Sequence, residues 1–185
     1  STYGSRNHER HTDTIEVLAE LIENTLSRGG NVVIPSFAIG RTQELLYAIR
    51  EIKQRKLVKN MDFPVYVDSP LAIEATEIFS KCDPACFDDE TRKLIDDGID
   101  PIRFDGLRLS VTVEDSKRIN ETLEPKVILS ASGMCEAGRI RHHLKHNLWR
   151  PQNLILFVGY QAEGTLGRNL IEGVQNVRLF GEDIV

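Results

Sequence analysis

The sequence predicts an α/β fold in which helices cover both faces of a largely parallel, doubly wound sheet of the Rossmann or flavodoxin type. Two observations support this prediction. Segments with helical periodicity alternate with short apolar segments through most of the chain. The short segments, such as Val32-Val33-Ile34, are continuously apolar, which is typical of parallel strands that are buried on both faces.

The first helix is predicted over residues 12–28, where Leu18 and Ile22 fall on one face and Gly29-Gly30 follows. The first strand, at 31–35, ends at Pro35. Further helices are predicted at 40–56, 71–80, 88–97, 116–123, 137–148 and 165–171, and further strands at 63–67, 107–113, 126–129, 154–158 and 177–180.

Two segments depart from the simple alternation. Residues 107–113 alternate polar and apolar side chains, which indicates an edge strand. Residues 83–106 interrupt the alternation, and we expect a small helical insertion there. Its many acidic side chains indicate a solvated helical face.

Composition indicates a soluble, globular chain. Of its 185 residues, 41% are hydrophobic and 28% are charged, and its apolar runs are too short to span a membrane. Three cysteines do not make a disulfide framework, so we expect a reducing, cytoplasmic setting. The net charge of -5 argues against a dedicated nucleic-acid-binding tail, but residues 137–162 contain no acid and several basic side chains.

Four passages follow the order strand, small-residue loop, helix. In a parallel sheet these loops leave at the same carboxyl edge, where ligands bind, and each leads into a helix N-terminus that favours phosphate. The alternative for Ser36, Ser69 and Ser132 is simple helix capping. The four loops lie at 34–41, 67–71, 129–139 and 158–165.

Sequence signals for metal binding or nucleophilic catalysis are weak. Cys82 and Cys86 have the spacing of a metal pair, but no second pair follows, and free thiols are the better interpretation. His142 and His146 are four residues apart on a predicted helix, and we interpret them as surface groups or RNA-facing donors. The chain lacks the P-loop, G-x-G-x-x-G and G-x-S-x-G motifs.

Taken together, five passages resemble the β-CASP domain, which is inserted into metallo-β-lactamase-fold nucleases such as the cleavage and polyadenylation specificity factor nuclease. The resemblance runs from Ser1 to about Asp183. The passages are S-T-Y-G at 1–4 with Arg6 and His8, V-I-P-S-F-A-I-G-R-T-Q-E at 33–44, D-S-P-L-A at 68–72, A-S-G-M at 131–134 with Gly138-Arg139, and F-V-G-Y-Q at 157–161 with G-T-L-G at 164–167.

The resemblance implies a zinc-dependent phosphodiesterase that acts on RNA, with two zinc ions that activate a water. The family's zinc ligands lie in the metallo-β-lactamase part, including an H-x-H-x-D-H motif that this sequence lacks. We therefore expect residues 1–185 to be a β-CASP domain excised from a larger nuclease, with no catalytic residue, metal ligand or cofactor of its own. Its expected partners are RNA and the parent's metallo-β-lactamase domain. We expect no contact with a membrane, and homodimerisation is left open.

The resemblance also implies which residues face the RNA. Phe37 and Tyr160 are the candidates for stacking on a base, with packing in the core as the alternative for either. The predicted RNA- and phosphate-binding residues are Tyr3, Arg6, His8, Ser36, Phe37, Arg41, Ser69, Pro70, Ser132, Gly133, Met134, Arg139, Gly159, Tyr160, Gly164 and Thr165.

Two other functions are compatible with the same sequence. One is a self-standing doubly wound domain that binds a nucleotide or another phosphate ligand at the same edge. The other is the scaffold domain of a pseudo-nuclease, whose parent would have lost the H-x-H-x-D-H ligands.

Overall fold

The structure, a computed structural model, describes residues 14–184. Seven α-helices and seven strands follow one another in these residues, with a 3-10 helix at Pro84–Cys86. The helices are α1 (Thr14–Ser27), α2 (Arg41–Gln54), α3 (Pro70–Phe79), α4 (Asp89–Asp96), α5 (Val113–Glu121), α6 (Ile140–Asn147) and α7 (Leu166–Ile171). The strands are β1 (Val32–Pro35), β2 (Val65–Val67), β3 (Leu107–Leu109), β4 (Val127–Ser130), β5 (Leu154–Ile155), β6 (Val177–Leu179) and β7 (Glu182–Ile184).

Five strands form one sheet in the order β3-β2-β4-β1-β5, and every neighbouring pair is parallel. The chain moves from β1 through β2 to β3 at one edge and then returns through β4 to β5 at the other. Because such crossovers are right-handed, reversing the direction moves the connecting helices to the other face of the sheet. This confirms the predicted doubly wound α/β fold.

Each face of the sheet has its own hydrophobic core. Val32 and Ile34 of β1 pack with side chains of α1, α2 and α3 on one face. Val33, between them, packs with side chains of α5, α6 and β6 on the other face. Residues 32–35 and 127–130 are buried throughout, which explains why these strands are continuously apolar rather than alternating.

Several predicted bounds were wrong. The strand predicted at 107–113 ends at Leu109, because Thr112 and Asp115 form a capping box that starts α5 at Val113. The helix predicted at 137–148 begins only at Ile140. The edge position of β3 and the short helices within 83–106 are confirmed.

The last predicted strand does not join the main sheet. β6 pairs antiparallel with β7, which sequence reasoning missed, and the two form a separate hairpin. Its turn uses Phe180 and Gly181, both at positive φ. The Phe180 ring stacks on His142 of α6 with 4.4 Å between ring centroids, so the hairpin packs against α6.

The three thiols lie in different environments. Cys82 and Cys86 are exposed near the 3-10 helix, whereas Cys135 is fully buried and free. Burial raises the pKa of the Cys135 thiol to about 12, so it stays protonated at neutral pH.

We predict that a thiol reagent modifies two cysteines of the native chain rapidly and the third only after unfolding, since the thiolate is the reactive form. Counting the modified groups by mass spectrometry, with and without denaturant, checks this expectation. A Cys82→Ser, Cys86→Ser double variant serves as the control and should show no rapid reaction. Rapid modification of Cys135 in that variant would contradict the described packing.

Candidate nucleic-acid interface at the carboxyl edge of the sheet

All five strands of the main sheet end at the same edge, because all are parallel. The loops after β1, β2, β4 and β5 are the four predicted from sequence. The structure adds a fifth, Ser110 to Thr112, which follows β3 and was missed because residues 107–113 were read as one strand. The carboxyl edge of such a sheet is the usual ligand site of this class of fold.

Asp68 lies at this edge, directly after β2, and is completely buried. Its Oδ2 accepts hydrogen bonds from Ser116 Oγ at 2.6 Å and from His143 Nε2 at 2.7 Å. Its Oδ1 accepts from Arg139 Nη1 at 2.8 Å. A buried carboxylate needs such partners, and here they come from α5, from α6 and from the residue just before α6.

Burial alone would raise the pKa of Asp68, since it disfavours the charged form. The hydrogen bonds from His143 and Ser116 outweigh this and lower the pKa to about 2. Asp68 is therefore an anion at neutral pH. It acts as a fixed negative centre that holds its donors in place.

Arg139 extends this network to the loop after β3. Its Nη1 also donates to the Ser110 carbonyl at 3.1 Å, and its Nη2 donates to the Val111 carbonyl at 2.9 Å. The Arg139 side chain keeps one fifth of its surface exposed. Its predicted phosphate contact therefore depends on the part of the guanidinium that these bonds leave accessible.

The hydroxyls of Ser36 and Ser69 are used within the fold. Ser36 Oγ lies 2.9 Å from Thr42 Oγ1, and both residues are buried. Ser69 Oγ accepts from the Ala72 N–H and caps α3, with Pro70 as the exposed first residue of the helix. Capping, the alternative kept open above, thus describes Ser69 in the structure.

The loop of Ser132, Gly133 and Met134 lies at the middle of the edge, because β4 is the central strand. The Phe37 ring covers Gly133 so closely that an added Cβ would lie 3.2 Å from ring carbon Cδ2. Gln161 Nε2 donates to the Gly133 carbonyl at 3.0 Å. The loops after β1, β4 and β5 therefore meet at Gly133.

Two aromatic rings stand out from this meeting point. Phe37 is 51% exposed and Tyr160, next to Gln161, is 61% exposed. Neither is a core residue, which removes the packing alternative for both. Other apolar side chains exposed in the loops and helix starts at this edge are Ile39, Leu71, Val111 and Val113.

The remaining predicted residues lie at the starts of helices or in the last loop. Arg41 is exposed at the first position of α2 and pairs with Glu44 at 2.6 Å. Thr165 caps α7 by accepting from the Arg168 N–H. Gly159 and Gly164 are exposed in the loop before α7. Tyr3, Arg6 and His8 lie outside the described residues.

Sequence reasoning named Asp68 only as part of a motif and missed its role as the centre of the network. It did not single out His143, which is fully buried and whose Nδ1 lies 3.0 Å from Asn120 Oδ1. A usable signal was present, since Arg139 and His143 are four residues apart and share a helix face with apolar neighbours.

Between residues 14 and 184, no group of three or more His, Cys, Asp or Glu side chains is arranged to hold a metal ion. These residues therefore do not fit the zinc centre that the resemblance implies for the parent. In the same span, no helix is long and apolar enough to cross a membrane.

Comparison with known proteins now decides the family. The family model of the Beta-Casp domain matches residues 42–170. The chain belongs to the Beta-Casp domain family. The matched residues include the loops after β2, β4 and β5.

Full-length relatives are considerably longer. "Ribonuclease TTHA0252" of Thermus thermophilus is 39% identical over 183 residues, which cover 99% of this chain and 41% of that protein. "Transcription termination factor FttA" of Methanosarcina mazei is 33% identical over 186 residues, covering 99% of this chain and 29% of that protein. "RNase J-like protein" of Methanocaldococcus jannaschii is 36% identical over 191 residues, which cover 100% of this chain and 41% of that protein. This chain thus spans less than half of each relative.

We predict that Asp68→Asn destabilises the fold by about 3 kcal/mol, because it leaves the fully buried His143 and the partly buried Arg139 without their anion. Asp96→Asn, at an exposed position of α4, should change stability by less than about 0.5 kcal/mol. Denaturant unfolding of both variants measures the difference.

The same variant changes the acid stability. The folded pKa of Asp68 is below its ordinary value, so its contribution is complete above about pH 4 and is lost as pH falls towards 2. This contribution is about 2 to 3 kcal/mol, and Asp68→Asn should remove that part of the pH dependence. Equal acid sensitivity in the variant and the parent chain would show that Asp68 is not stabilised as described.

Proposed function

We propose that this chain is the RNA-clamping domain of a zinc-dependent ribonuclease, and that it binds RNA but does not cleave it alone. The observation that carries the proposal is the junction at Gly133, where exposed Phe37 and the loop bearing exposed Tyr160 meet. Two findings support RNA as the substrate: the chain belongs to the Beta-Casp domain family, and its Thermus thermophilus relative is named a ribonuclease.

The edge offers complementary groups to a single RNA strand. Phe37 and Tyr160 present flat apolar surfaces on which unpaired bases stack regardless of sequence. The small side chain of half-buried Ser132 allows the sugar-phosphate backbone to approach this loop, whereas Gly133 is buried beneath the Phe37 ring. Arg139 is held by Asp68, directly after β2, and by the Ser110 carbonyl, directly after β3. These two hydrogen bonds fix the distance between the loops after β2 and β3.

The chemistry of hydrolysis is assigned to the rest of the parent protein. Zinc, when bound there, would activate water for attack on the phosphodiester. Its ligands and the metallo-β-lactamase domain that carries them are the partner with which this chain would form a cleft. The contribution of this chain is to bind and orient the strand, in the cytoplasm.

We predict that Phe37→Ala and Tyr160→Ala each weaken binding of a single-stranded oligouridylate about 5- to 100-fold, the range expected for loss of one base stack. Leu123→Ala, which removes a side chain that is 87% exposed away from the carboxyl edge, is the matched control and should change the affinity less than about twofold. Fluorescence anisotropy at two salt concentrations measures both affinity and its electrostatic part.

Three outcomes would count against the proposal. Unchanged affinity in both aromatic variants would remove the stacking surface. Robust metal-dependent RNA cleavage by the chain alone would contradict the assignment of the metal centre to the rest of the parent. Tight stoichiometric binding of a nucleotide, unaffected by RNA, would favour the self-standing nucleotide-binding domain instead.

A further inference from the structure

We infer that a pocket between α6, α7 and β6 binds a phosphate group, and that in the proposed function this is a backbone phosphate of the bound RNA. The pocket has a volume of about 320 Å³. Four of its lining side chains can donate hydrogen bonds, and they come from different parts of the chain: Arg141 from α6, Asn169 from α7, Asn176 from the segment before β6, and Arg178 from β6.

Neither guanidinium in this pocket is paired with a carboxylate of residues 14–184 within 4 Å. Arg141 Nη1 donates to the Glu136 carbonyl at 3.1 Å, and the guanidinium lies 5.4 Å from the centre of the Phe180 ring. Arg178 is exposed on β6 and makes only a long contact, 3.5 Å, from Nη2 to the Gly181 carbonyl. Two positive side chains thus border one cavity without a charge partner among the residues that the structure describes.

Three acidic side chains around the pocket already have other partners. Glu182 pairs with Lys145 at 2.8 Å and Glu172 with Arg168 at 2.6 Å. Glu136, which lines the pocket, accepts the Leu166 N–H at 2.6 Å. Asp183 lies opposite Arg178 in the hairpin, yet the two do not form an ion pair. The pocket therefore keeps a net positive charge available to an anion.

The two amides add uncharged donors. Within residues 14–184, the side chains of Asn169 and Asn176 make no hydrogen bond. A tetrahedral phosphate has enough acceptor oxygens for a bidentate guanidinium contact and for amide donors at once. This set of donors matches a phosphate better than a purely apolar ligand.

The position of the pocket connects it with the carboxyl edge. The Gly167 N–H, at the start of α7, donates to the Met134 carbonyl at 3.1 Å. Glu136, two residues after Met134, forms part of the pocket wall. An RNA strand that crosses the loop of Ser132, Gly133 and Met134 would therefore bring its next phosphates towards Arg178 and Arg141.

Substitution of Arg178 tests the inference, since this exposed side chain can be removed without opening the core. We expect Arg178→Ala to weaken oligouridylate binding about fivefold and to reduce the slope of log affinity against log salt by about 0.7, the value for one phosphate contact to a single strand. Arg178→Lys should restore the slope but not the full affinity, because lysine keeps the charge and loses the bidentate geometry. Arg92→Ala, an arginine of α4 outside this pocket, is the matched control.

Direct titration with inorganic phosphate separates the two sources of the ligand. Saturable binding that is lost in Arg178→Ala supports the pocket, and competition by oligouridylate identifies the RNA backbone as the source. Phosphate binding without such competition assigns the pocket to a free anion.

Failure of the inference differs from failure of the proposed function. If Phe37→Ala weakens RNA binding while Arg178→Ala changes neither affinity, salt slope nor phosphate binding, the pocket is overturned and the RNA-clamping role stands. If the chain binds inorganic phosphate through Arg178 but binds no RNA, the pocket stands and the RNA-clamping role fails. Absence of both activities overturns both.

Discussion

The carboxyl edge of this protein is organised by one buried anion. Asp68 has no solvent exposure, and its two oxygens accept hydrogen bonds from three side chains that belong to other parts of the chain. Taking a carboxylate out of water is costly, and removing any single donor would leave part of that cost uncompensated. The interaction therefore fixes the relative positions of β2, α5, α6 and, through Arg139, the loop after β3.

The Asp68 network supports the carboxyl edge, and this support explains how the edge can present apolar side chains to solvent. Phe37 and Tyr160 do not belong to the buried core, since at least half of each side chain is exposed to solvent. They are placed beside the loop of Ser132, Gly133 and Met134, in a chain whose relatives include a protein named as a ribonuclease. Rigid support beneath and flat apolar groups above are the properties expected of a surface that binds single strands.

The sequence predicted the fold class because both of its signals are local. Continuous apolar strands and amphipathic helices reflect burial on two faces, and the structure has one core on each face. The predicted bounds at residues 113 and 137 were wrong for a local reason as well, since the capping box at Thr112 and the turn before α6 compete with the hydrophobic pattern. β6 was predicted, but its partner β7 was missed because Glu182 and Asp183 are polar and exposed and give no apolar alternation to detect.

The site was predictable only in outline. Parallel topology and the β-CASP resemblance placed the right loops at one edge. They did not reveal the Asp68 network, because His143 and Ser116 are 75 and 48 residues away from Asp68 in the chain. Nor did they show which hydroxyls, such as that of Ser36, are used internally. Such pairings depend on tertiary structure and leave no short-range pattern.

Photocrosslinking of the chain to a short RNA that contains 4-thiouridine tests the central claim most directly, because it reports contact rather than affinity. If the carboxyl edge is the RNA-facing surface, the crosslinked peptides should include those that contain Phe37 and Tyr160. Crosslinks confined to α4 and the segment between α3 and α4, with none at the loops after β1 and β5, would contradict it.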